Sequence, residues 1–175
     1  VCAPNEVECA VVEGRFHAGV VPRHHALPSL HYRDLYSERS LFYCAAQHPL
    51  FDVAEADLSV ELVARQDFIS PSYSHSELLN HQFPQHKAAA SSYQVEGVAT
   101  LILSGRYTGF LPDHYAASWS ANGQMRALMP DTLHYQIPFS LISRIDAANN
   151  VLSTALLEAF SRAVARVGAG GGDAE

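Results

Sequence analysis

The sequence predicts an α/β fold, on three observations. Helix-like and strand-like stretches alternate along the chain, with short turns between them. Apolar residues make up 48% of the 175 and charged residues 17%, which supplies a core and excludes a disordered polyelectrolyte. The best helix, Tyr93 to Ser104, places Val95, Val98, Ala99 and Ile102 at i, i+3, i+4 and i+7 and closes at Gly105. That rhythm predicts a largely parallel sheet.

The elements follow in order. Asn5-Glu6-Val7-Glu8 has the form of a capping box with Asn5 as N-cap, and Gly14 ends the helix behind it. Phe16 to Val21 reads as a buried strand stopped by Pro22. A second strand, led in by Tyr36 to Glu38, spans Ser40 to Ala46, and Gln47-His48-Pro49-Leu50 breaks it. Asp57 to Ala64 is a short helix with Leu58, Leu62 and Val63 inward, followed by a strand at Asp67 to Ser70. Ser74 to Glu77 forms a second capping box, opening a helix through His81. Lys87 to Ser91 is a weak strand, and Thr108 to Leu111 a stronger one. Pro112 starts a helix through Ser120. Met125 to Met129 and Tyr135 to Arg144 read as strands. Asn149 or Asn150 caps a last helix with the stripe Leu152, Ala155, Leu156, Ala159, Phe160, Ala163 and Val167. Residues 169–175 form a flexible acidic tail.

Charge and motifs narrow the function. Eleven basic against eighteen acidic residues give a net charge of −7, the wrong sign for a segment that grips nucleic acid by itself. No apolar run approaches a membrane span. Three cysteines, Cys2, Cys9 and Cys44, form no CxxC pair and suit a reducing cytoplasm. Phosphate loops, dinucleotide fingerprints, serine elbows and zinc helices are absent. The ten histidines cluster only at His24-His25 and His31, where surface histidines are preferred over a metal site. No cofactor, metal or catalytic set is expected, so the chain is read as a non-enzyme.

Three segments carry a resemblance. They are Val12-Glu13-Gly14-Arg15-Phe16-His17-Ala18-Gly19-Val20, then Leu35 to Pro49 ending in Gln47-His48-Pro49-Leu50, then Val98 to Pro112 with Gly105 and Thr108-Gly109-Phe110-Leu111-Pro112. In that order and spacing the chain, from Val7 to Val164, resembles the effector-binding domain of LysR-type transcriptional regulators. It departs from the family at His17, where an Asp is usual, and at Tyr107, where a Gly is usual. The resemblance implies two Rossmann-like subdomains of the type 2 periplasmic-binding-protein kind, joined by crossover strands. It also implies an N-terminally truncated chain, with the first subdomain incomplete and the winged helix-turn-helix domain lacking. The expected division is 1–43 for the rest of subdomain I, 44–142 for subdomain II, 143–168 for the return crossover and C-terminal helix, and 169–175 for the tail.

The function implied is sensing a small, anionic effector in the cleft between subdomains, together with dimer or tetramer formation. DNA is contacted only through the lacking domain. On this reading the protein is cytoplasmic and does not engage membranes. Candidate effector contacts are Pro22, Arg23 and His24 on one side, Ser70, Ser72 and Tyr73 at a strand-to-helix turn, and Tyr107, Thr108, Gly109 and Phe110 as a third wall. Arg23 supplies a guanidinium for an acidic ligand, and the turn supplies helix N–H groups. The residues leave three bland alternatives open: Arg23 as a solvated arginine, Ser74 as a plain cap and Phe110 as core. A periplasmic-type solute-binding protein is the second reading, and a small enzyme using His24 or His25 the third.

Overall fold

The structure is a computed structural model that describes residues 3–23, 26–71, 88–147, 154–156, 158–160 and 162–163. The predicted helix at Ser74 to His81, the Asn149/Asn150 cap and the acidic tail lie outside the described residues. The chain divides into two compact units, one of residues 1–38 and 137–175, the other of residues 39–136.

In the first unit, α1 (Pro4–Val12) leads into β1 (Ala18–Pro22), which pairs antiparallel with β7 (His134–Arg144). The strand order continues to β2 (Leu30–Ala45). Both β2 and β7 run on into the second unit, so the chain crosses between units twice. Val11, Val21, Leu30 and Ile142 form a buried cluster with Val7 and Tyr32 against it, which fixes α1 on one face of β1. The buried Glu8 accepts a hydrogen bond from the Tyr32 hydroxyl at 3.0 Å, and burial first, then Glu8, raises the Tyr32 pKa. Helix α1 starts two residues before the sequence reading. Ala3 is its N-cap, Pro4 takes the first-turn position, and Glu6 reaches back to the Ala3 N–H at 3.1 Å, so Asn5 lies inside the helix.

The second unit holds α2 (Val60–Ala64), β3 (Phe68–Pro71), β4 (Ala90–Ser92), α3 (Val95–Leu103), β5 (Thr108–Pro112), α4 (Asp113–Ala121) and β6 (Met125–Ala127). β3 pairs parallel with β4 and with β5, whereas β2 pairs antiparallel with β5 and with β6. The sheet is therefore mixed, not largely parallel, because the long strands β2 and β7 run against their neighbours. Val98, Ala99 and Ile102 of α3 are buried on Tyr43, Ile69 and Leu111, as the helical stripe predicts. Gly105 turns the chain out of α3 at φ +78°, a conformation that costs a side-chain-bearing residue about 1–2 kcal/mol. Two helix starts shift from expectation. Ser59, whose side chain accepts the Leu62 N–H, caps α2 after a 3₁₀ turn at Glu55–Asp57, and Pro112 is the N-cap of α4 instead of its first residue.

Burial fixes two titratable groups of this unit as neutral structural parts. His48 is 4% exposed and its Nδ1 accepts the Leu50 N–H at 3.2 Å, and burial lowers its pKa. Cys44 is fully buried, and its thiol is pushed up to about 12, by burial first.

Candidate effector-binding residues

In the second unit β3, β4 and β5 run parallel, so their carboxyl ends share one edge. Ligands of open α/β sheets collect at such an edge, because helices that follow the strands aim their unpaired N–H groups there. α3 follows β4 and α4 follows β5. Ser92 shapes the first of these turns: its hydroxyl donates to the Gln94 carbonyl at 2.9 Å and accepts the Gln94 N–H at 3.3 Å. The start of α4 is already served by its own acid, since Asp113 Oδ1 accepts the His114 N–H at 2.6 Å. Burial, with Asp113 as the next cause, pushes the neighbouring Tyr43 phenol up to about 12, so it stays protonated.

The expected residues of this unit separate into two groups. Ser70 stands half-buried in the carboxyl half of β3. Thr108 is opposite Phe68 and Gly109 opposite Ile69, so Tyr107 and Thr108 sit at the amino ends of the strands, away from Ser70. Thr108 is fully buried, with its N–H on the Asp67 carbonyl at 3.0 Å. Tyr107 is half-buried and carries the Arg106 guanidinium 5.9 Å from its ring centroid. Phe110 is 4% exposed, with Phe42 and Tyr135 each 4.8 Å away, centroid to centroid. It is a core aromatic. Ser72 and Tyr73 lie outside the described residues.

Pro22 and Arg23 belong to the first unit, while His24 lies outside the described residues. The Arg23 N–H donates to the Pro138 carbonyl at 2.7 Å, holding the end of β1 against β7. Its guanidinium Nη1 reaches Asp34 of β2, at 3.1 Å from Oδ1 and 3.4 Å from Oδ2. Asp34 Oδ1 also accepts the hydroxyl of the buried Ser140 at 3.1 Å. Beside this pair Tyr36 stacks on Phe139, 5.0 Å apart and 8° from parallel. Burial, then Glu38, raises the Tyr36 pKa. Sequence reasoning missed Asp34, Tyr36 and Ser140 as neighbours of Arg23. The signal would have been period-two burial in residues 30–38, but charged and exposed residues hide it there. Among the described residues no group of three or more His, Cys, Asp or Glu is placed to hold a metal ion. No described helix is long and apolar enough to cross a membrane.

Two α/β units strung on two long strands, with a parallel edge and a paired arginine, define a class of small-molecule sensing domains. The chain belongs to one family within it. The profile of the LysR substrate binding domain matches residues 2–165. Similar proteins agree. The HTH-type transcriptional activator BauR of Pseudomonas aeruginosa is 38% identical over 158 residues, 90% of this chain and 52% of that protein. The chain thus spans about half the length of that curated relative. The C-terminal domains of a LysR family protein from Agrobacterium tumefaciens share the fold at a TM-score of 0.65 and 21% identity, over 93% of this chain and 78% of that one. So does the full-length LysR-type regulator LysG of Corynebacterium glutamicum, determined with its effector arginine bound, at a TM-score of 0.65 and 14% identity, over 92% of this chain and 55% of that one. These neighbours carry the type 2 periplasmic-binding-like fold.

Proposed function

We propose that this chain is the effector-sensing part of a cytoplasmic, homo-oligomeric LysR-type regulator and has no catalytic activity of its own. The single observation that carries the proposal is the family match across residues 2–165. In the proposal a small anionic effector binds in the cleft between the subdomains. DNA is contacted by a domain outside this chain, as the name of the relative BauR suggests for that protein. The bound effector of LysG supports a small-molecule ligand for this fold. An effector that prefers one arrangement of the subdomains shifts the population toward it and so re-spaces the DNA-binding domains of the oligomer.

The anion's partner in this proposal is Arg23, whose side chain is half exposed while its Nη1 is held by Asp34. The carboxylate would take the remaining donors in the forked geometry that arginine offers. Ser70 and the Ser72–Tyr73 turn remain the proposed second contact, and Phe110 the apolar floor behind it. The subdomain boundaries expected from sequence are part of the same proposal.

The test is a thermal-shift screen of small carboxylates on the chain and on Arg23→Ala. A carboxylate should raise the Tm of the chain, and the shift should vanish in Arg23→Ala while Asp34→Asn keeps it. An undiminished shift in Arg23→Ala would move the site elsewhere.

A further inference from the structure

The first unit has an open edge. β1 is the end strand of the order and pairs only with β7 among the described strands. The Arg23 N–H bonds to Pro138, one step beyond the Pro22–Phe139 register pair. Antiparallel alternation then turns the N–H groups of Gly19 and Val21 toward β7 and those of Ala18 and Val20 toward the open side.

Beside that edge lies an apolar cavity of about 480 Å³. Ala18, Val20 and Leu141 form its floor, Phe16 its rim, and Leu156 and Phe160 its wall. The opposite face of β1 is filled: Gly19 has no room for a Cβ beside the Val7 side chain, and Val21 is fully buried. So β1 is covered on one face by α1, and its other face is left partly open beneath a helix. The surface agrees. Of the six exposed large apolar side chains among the described residues, Val12, Phe16, Leu27, Tyr36 and Ile145 belong to the first unit and only Tyr93 to the second.

An open edge beside a half-filled apolar cavity is a template for another strand. We propose that the occupant is a β-strand of the same polypeptide, N-terminal to α1, pairing parallel with β1. The geometry favours this source. α1 packs on β1 and enters it through a short turn. A strand that feeds such a helix runs parallel to the strand that leaves it, by a right-handed crossover. Parallel pairs need a connection of about a dozen residues or more, which α1 and its flanking loops supply. Such a strand, covered on both faces, would be a continuous run of Val, Ile or Leu. The chain matches only 52% of BauR, so the full-length relatives hold ample polypeptide for it. The proposal rests on the family reading only for that last point.

Hydrogen exchange at Ala18 and Val20, in chain 1–175 and in the full-length regulator, tests it. Both amides should exchange at least about 100-fold more slowly in the full-length protein, at every protein concentration. Equal rates in the two proteins overturn the proposal. Protection that appears in chain 1–175 and grows with its concentration also overturns it, in favour of a second copy of the chain. As a second measurement, Val20→Lys should lower the Tm of the full-length protein by several degrees and that of chain 1–175 by much less. Equal losses overturn the proposal. DNA binding by the full-length protein is read separately, so failure of the strand leaves the family reading standing.

Discussion

Two glycines of the second unit share a backbone conformation and differ in surroundings, which gives a controlled test of packing. Gly105 has φ +78° and Gly123 φ +68°. A Cβ added at Gly123 meets nothing within 4 Å, so Gly123→Ala isolates the backbone term. Left-handed alanine costs about 1–2 kcal/mol. Stiffening the unfolded chain returns roughly 0.4–1 kcal/mol. The net loss should be about 0.5–1 kcal/mol. A Cβ at Gly105 stands 2.9 Å from the Cβ of Gln47, with the Gln47 carbonyl carbon at 3.5 Å and Cα at 3.6 Å. These atoms are not the tip of a flexible side chain, so the turn at Gln47–His48 must move. Overpacking of that kind adds about 1–3 kcal/mol. Urea unfolding followed by Trp119, the single tryptophan, reads this unit directly, because Trp119 packs on its core. Gly105→Ala should lower the midpoint well below that of Gly123→Ala at unchanged slope. Equal midpoints for the two variants would refute the packing argument.

Three further outcomes follow from the same unit. Because burial lowers the folded-state pKa of His48 below its ordinary value of 6.5, the unfolded chain binds the proton more readily. Stability should be unaffected by this group above about pH 6.5 and fall as the pH drops toward the folded pKa, and His48→Gln should flatten that slope in acid titrations. Arg126 donates to the Phe51 carbonyl at 2.7 Å, the Val53 carbonyl at 2.5 Å and Glu55 Oε2 at 2.8 Å, so Arg126→Met should cost about 2–4 kcal/mol in urea unfolding, and Arg126→Lys should recover only part of it. Native alkylation mapped by mass spectrometry should modify the exposed Cys9 and leave the buried Cys44 untouched until the chain unfolds.

The legible parts of this fold are those where local pattern and burial agree. The stripe of α3, the glycine after it and the apolar strands β3 and β5 are examples, because helical or short continuous burial leaves a direct trace in the residue order. β2 shows the limit. Its second half, Ser40 to Ala45, is nearly all buried and was expected, whereas Leu30 to Arg39 is largely exposed and reads as a loop. A strand with neighbours across it but little cover on its faces has no hydrophobic period to display. The start of α1 was misplaced because Asn5 offers a good cap, while Pro4 and the Glu6 contact to Ala3 settle it two residues earlier.

The candidate site was legible in part. Arg23 was singled out for its charge after a strand, but its partner Asp34 lay in the stretch read as loop. Tyr107 to Phe110 were adjacent in sequence and so were taken as one wall. A strand distributes neighbours along its length, and register puts Tyr107 and Thr108 at the opposite end from Ser70. The terminal stripe was drawn too wide. Among its described residues Leu156 and Phe160 are half-buried, and Ala155, Ala159 and Ala163 are exposed. Alanines satisfy an apolar count without needing cover.

The most direct test of the account is DNase footprinting of the full-length regulator on its own promoter region, with and without the carboxylate selected by thermal shift. The account predicts that the carboxylate changes the length or spacing of the protected region, and that Arg23→Ala binds the same DNA but no longer responds. A footprint that the carboxylate leaves unchanged, or a full-length protein that does not bind the DNA at all, would contradict it.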